Sequence, residues 1–136
     1  MNIILYTNGR EMKDGERLLN KICSEFPSKQ IEIIDNIDDF KKRIYSFPRN
    51  IDVAVILAAS NSQLSDIIQY SDALDEIEII LILPDQDKDT VSMGLRLYPR
   101  FVAYMDSDFD DVKAVLGKLS SRHGNSCSNK IDQQVA

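Results

Sequence analysis

Two segments of this sequence are apolar on both faces, and that property narrows the folds open to the chain. Val53-Ala54-Val55-Ile56-Leu57-Ala58 and Ile79-Ile80-Leu81-Ile82-Leu83 show no polar alternation, so a strand built from either needs cover on both sides. Ile3-Ile4-Leu5 reads the same way. A parallel sheet between two helix layers supplies that cover. Five strands are expected, at Asn2–Thr7, Gln30–Asp35, Asp52–Ala58, Ile77–Leu83 and Phe101–Met105, with helical patterns between them that imply parallel crossovers. The second strand partly alternates and the fifth is short, so both belong at edges. The order that places strands one, three and four inside is 2-1-3-4-5, a flavodoxin-like, doubly wound, three-layer α/β/α arrangement; the order 3-2-1-4-5 would leave the most apolar strand at an edge.

The helices follow from spacing. Met12, Leu19, Ile22, Cys23 and Phe26 form the first stripe, with Cys23 read as a small core residue, and Pro27 ends it. Phe40, Ile44 and Phe47 form the second, before Pro48. Ser60-Asn61-Ser62-Gln63 has the pattern of a capping box, opening a helix with Leu64, Ile67, Ile68 and Leu74 on its core side. In the helix after the fourth strand, Val91, Gly94, Leu95 and Tyr98 cluster on one side and Met93 and Leu97 on the other, so Met93 and Leu97 are expected to point outward. Phe109, Val112, Val115, Leu116 and Leu119 mark the last helix. Residues 1–121 then form one domain, and the polar stretch 122–136 is expected to be a tail.

Composition excludes several functions. The 136 residues carry 16 basic and 22 acidic side chains, a net charge of −6, which repels phosphate backbones and speaks against nucleic acid as the ligand. The one basic run, Lys41-Lys42-Arg43, reads as a solvated helix face. No apolar run approaches the ~18 residues of a membrane span, and the N-terminus enters a strand without a basic region or cleavage site, so a cytoplasmic protein is expected, with no membrane partner. Two cysteines make neither a disulfide framework nor a metal-ligand spacing. The clusters Asp85-Gln86-Asp87-Lys88-Asp89 and Asp106-Ser107-Asp108-Phe109-Asp110 open like Ca²⁺ loops. The sixth and twelfth positions hold Thr90 and Arg96, or Asp111 and Gly117, so the template fails and the carboxylates are read as helix-start partners. His123 is the single histidine and lies in the expected tail, which leaves Ser60 without a triad. Gly9 and Gly15 form no phosphate-binding fingerprint. No metal site, cofactor or catalytic residue is expected.

Over about residues 2–120 the sequence resembles the receiver domain of bacterial response regulators (CheY-like domains of two-component systems). The resemblance lies in Ile3-Ile4-Leu5-Tyr6-Thr7-Asn8, Asp52-Val53-Ala54-Val55-Ile56-Leu57 and Tyr104-Met105-Asp106-Ser107-Asp108-Phe109, and it is one of pattern and length. It implies an acidic pair after the first strand for Mg²⁺, an aspartate nucleophile ending the third, a hydroxyl after the fourth and a Lys-Pro pair after the fifth. Here the acidic pair maps to Thr7 and Asn8, the nucleophile to Leu57, the hydroxyl to Pro84 or Asp85, and Lys-Pro to Ser107 and Asp108. Mg²⁺ dehydrates reluctantly and is held through carboxylates and phosphate oxygens, and a leucine cannot attack phosphorus. Shifting the register reaches only Ile56, Ala58 and Ala59.

The expectation is therefore a degenerate pseudo-receiver: a non-enzymatic, phosphorylation-independent protein-protein interaction module in bacterial signalling. Its protein partner, or a homodimer mate, would meet the face made by the helix after strand four, strand five and the last helix. Met93, Leu97 and Tyr104 are the candidate contacts, Tyr104 because it falls at the aromatic position that the family uses to couple pocket to face. The alternative is a small-molecule, anion or nucleotide-binding protein using the loops Gly9-Arg10 and Ser60-Asn61-Ser62 across the strand one and three switch point.

Overall fold

The computed structural model describes residues 1–7, 13–47 and 50–127. Five strands, β1 (Ile3–Thr7), β2 (Ile31–Ile34), β3 (Val53–Leu57), β4 (Glu78–Leu83) and β5 (Phe101–Tyr104), form one parallel sheet in the order β2-β1-β3-β4-β5. The order agrees with the one expected from strands that are apolar on both faces. Every residue of β1 and β3 is buried, while the edge strand β2 keeps Glu32 and Ile33 exposed.

Among the described residues, six α-helices cover the sheet: α1 (Lys13–Cys23), α2 (Ile37–Ile44), α3 (Asn61–Ile68), α4 (Ser71–Leu74), α5 (Lys88–Leu95) and α6 (Asp110–Cys127). Two apolar clusters fill the spaces between the layers. Leu18 and Ile22 of α1 and Val112, Leu116 and Leu119 of α6 pack on Ile3, Leu5, Val53, Val55, Leu57, Ile80 and Ile82. On the opposite face, Phe40 and Ile44 of α2, Leu64 and Ile67 of α3, Leu74 of α4 and Leu97 beyond α5 pack on Ile4, Tyr6, Ala54, Ile56, Leu81 and Leu83. Tyr6 stacks against Phe40 at 4.7 Å; burial pushes its phenol up to about 12, with Asp66 adding to the shift. Among the described residues no helix is long and apolar enough to cross a membrane.

Local chemistry explains the helix ends. Ser60 caps α3 by accepting from Gln63 N at 3.3 Å, while the Gln63 side chain reaches back to Ala59 N at 2.9 Å, one residue before the cap. Asn36 caps α2 through Asp39 N at 2.8 Å. The long helix expected after β3 is two pieces, α3 and α4, separated at Gln69 and Tyr70. The last helix runs to Cys127, into the stretch expected to be a tail; residues 128–136 lie outside the described residues.

Three expectations are corrected. Cys23 is exposed rather than part of the core. Phe47 is 99% exposed, because α2 stops at Ile44 and Tyr45 closes it on the Lys41 and Arg43 carbonyls. Leu97 is 5% exposed and packs on the core, so it does not point outward. The side of α5 that meets the sheet carries Thr90 and Gly94, with Val91 and Met93 half-buried beside them. Gly94 makes this approach possible: a Cβ there would stand 2.8 Å from Leu81 Cδ2 and 3.3 Å from Leu83 Cδ2. Thr90, fully buried, donates to Asn61 Oδ1 at 2.9 Å and so joins the starts of α5 and α3.

Candidate functional site

In a sheet of this topology ligands bind beyond the carboxyl ends of the strands, where the order reverses. The register brings the residues expected there to one rim. Thr7 pairs with Leu57, Leu57 with Ile82, and Leu83 with Tyr104. Pro84, Asp85 and Ser107 follow directly on β4 and β5.

The chemistry of that rim is apolar at its centre. Leu57 is completely buried, in the cluster with Leu5, Leu18 and Ile82. Thr7 is also buried, and an added Cβ at Gly15 of α1 would stand 3.2 Å from its methyl carbon, so α1 lies close over the end of β1. The nearby carboxylates are engaged at helix starts: Asp85 accepts from Asp87 N at 2.9 Å and Asp108 from Asp110 N at 3.1 Å. Asp110 bonds Lys21 Nζ at 2.6 Å, and that hydrogen bond lowers the Asp110 pKa and raises that of Lys21. Among the described residues, no group of three or more His, Cys, Asp or Glu side chains is placed to hold a metal ion.

One arrangement at the rim has no counterpart in the sequence pattern. Arg17 of α1 donates to the carbonyls of Met105 at 2.8 Å and Ser107 at 3.0 Å, and its guanidinium lies 4.6 Å from the centre of the Phe109 ring. Phe109 is buried at φ 66°, a left-handed conformation unusual for an aromatic residue. The β5–α6 loop is therefore tied to α1 by an arginine. No local spacing predicts this, since Arg17 and Ser107 meet only through the fold. Arg17→Met should lower unfolding free energy by about 1 kcal/mol, the scale of exposed hydrogen bonds plus a cation–π contact. Urea unfolding checks it: an unchanged midpoint would show that the tie adds nothing.

The other expected residues divide. Met93 and Tyr104 are half-buried and pack against the core cluster, and Leu97 lies inside it. Ser60 and Asn61 have their side chains committed to Gln63 N and Thr90, whereas Ser62 is exposed. Asn8, Gly9 and Arg10 lie outside the described residues.

The geometry is that of a receiver-like fold with an apolar rim. No sequence-family profile and no curated protein matches the chain. Solved structures do match it in fold. A putative pilus assembly-related protein from Burkholderia pseudomallei superposes with a TM-score of 0.61 at 14% identity, over 90% of each chain. A response regulator from Thermotoga maritima superposes with a TM-score of 0.60 at 10% identity, over 89% of this chain and 98% of its own.

Proposed function

We propose that this chain is a pseudo-receiver: a non-enzymatic module that binds a protein partner without being switched by aspartyl phosphorylation. The observation that carries this reading is Leu57, the residue that the resemblance aligns with a receiver's phosphoryl acceptor: it ends β3 and is buried in the core between its strand partners Thr7 and Ile82. A side chain without a lone pair cannot accept phosphorus. The fold shared with a response regulator and with a pilus assembly-related protein supports a place in bacterial signalling or regulation.

The contact surface in this reading is the side of the domain made by α5, β5 and α6. Leu95 and Tyr98, the latter 88% exposed, are the exposed apolar groups at the end of α5, and Tyr104 of β5 is half-buried. Leu95 and Tyr98 take the place of Leu97, which lies in the core, and of Met93, which is half-buried against it. The ligand-binding alternative gains no support from Ser60 and Asn61, whose polar groups are already used to hold α3 and α5.

Acetyl phosphate or beryllofluoride with Mg²⁺ should leave the amide spectrum unchanged relative to Mg²⁺ alone. Saturable shifts at Thr7, Leu57 and Ser107 would overturn the reading.

A further inference from the structure

The basic run at the end of α2 is divided by the fold. Arg43 turns to the sheet edge, donating from Nε to Glu32 Oε1 at 2.9 Å and from Nη1 to Ser46 Oγ at 3.0 Å. Lys41 and Lys42 are exposed and have no carboxylate partner among the described residues. The Lys41 ammonium lies 5.9 Å from the centre of the Tyr70 ring, at the junction of α3 and α4. Tyr45 meets the same ring edge-on, with centroids 6.3 Å apart and planes at 86°. Tyr45 is 56% exposed, and Phe47 two residues on has lost almost no surface to the fold.

Lys41, Tyr45 and Tyr70 thus meet at one end of the α2–α3 layer, with Lys42 and Phe47 exposed nearby in the sequence of α2 and its C-terminal turn, and neither ammonium has a carboxylate partner among the described residues of a chain of net charge −6. Single exposed apolar residues are ordinary, but rings gathered beside unpaired cations form a surface with two binding elements. Cations beside aromatic faces suit a ligand with carboxylates next to apolar groups. Polyphosphate ligands fit less well: a phosphate backbone or anionic lipid surface spreads its charge widely, and two lysines bring only about 1 kcal/mol each against the repulsion of an acidic domain. A short acidic segment matches the two lysines locally and covers the rings.

We propose that Lys41, Lys42, Tyr45, Phe47 and Tyr70 form a docking surface for an acidic segment of a partner protein, one with carboxylates beside an aromatic or aliphatic side chain. The inference rests on the protein-interaction reading above and adds the chemistry of the partner.

The probe is fluorescent poly(Glu,Tyr) copolymer titrated with the full chain, with poly(Glu), phosphatidylglycerol vesicles and a single-stranded RNA oligomer as comparisons. Saturable binding of the copolymer is expected, weakened more than about tenfold by Lys41→Glu with Lys42→Glu and by Phe47→Ser. The charge-matched control, Lys13→Glu with Lys29→Glu, exposed and away from both surfaces, should bind as the natural chain does. All these positions are exposed, so the melting temperature should hold.

Absence of copolymer binding, equal losses in the charge control, or tighter binding of vesicles or RNA would each overturn the proposal. So would sedimentation showing a dimer that the Lys41, Lys42 and Phe47 substitutions dissociate, since a second copy would then be the occupant. None of these outcomes touches the response to beryllofluoride, so this surface and the silent pocket fail separately.

Discussion

Val55→Asp should lower the unfolding free energy by about 3–5 kcal/mol, the cost of leaving a charge buried without a partner. Val55 is completely buried in β3, paired with Leu5 on one side and Ile80 on the other, and it lies in the cluster beneath α1 and α6. Its strand partners and the residues of that cluster are apolar, so the aspartate either takes up a proton or opens the sheet. Urea denaturation measures the change. A variant that unfolds at the same midpoint as the natural protein would place β3 at an edge and undo the strand order.

Leu97→Asp should be nearly as damaging, at about 3 kcal/mol or more, because Leu97 packs with Ile79, Leu81 and Leu83 under α5. Tyr98→Asp, one residue on, should change stability by under about 1 kcal/mol, since Tyr98 is among the most exposed side chains described. The pair of measurements decides which way the end of α5 faces. Equal, small effects would return Leu97 to the surface. Under the proposed function, Tyr98→Asp with Leu95→Asp should instead weaken partner or self-association by about 2 kcal/mol while the domain stays folded.

The strand order and the apolar end of β3 were both readable because each is a property of a short run of residues. Burial on both faces leaves an unbroken apolar run in β3 and β4, and partial alternation marks β2 as an edge. Leu57 at the end of β3 states by its identity alone that no acid stands there.

The facing of α5 was not readable in the same way. Its apolar residues are spread around the helix, so spacing alone does not single out one facing, and periodicity points to the side with Leu95 and Tyr98. The fold turns neither side fully inward: Thr90, Gly94 and Leu97 meet the sheet, because Gly94 lets the helix approach Leu81 and Leu83, and because Thr90, polar by type, is buried once Asn61 accepts its hydroxyl. Phe47 was misread for a local reason that the sequence does contain. It precedes Pro48, and a residue before proline is steered away from helical conformation, so it could not extend the stripe of Phe40 and Ile44.

By itself, then, the sequence determined the parallel five-stranded sheet, its order and the leucine that ends β3, since these depend on residue type along single strands. Only the tertiary structure decided that Arg17 would tie the β5–α6 loop and that Leu97 would turn inward. It alone set Tyr70 between Lys41 and Tyr45. Each of those contacts joins residues on different elements or depends on how closely a helix approaches the sheet, and such distances are fixed by packing between layers rather than by any spacing along the chain.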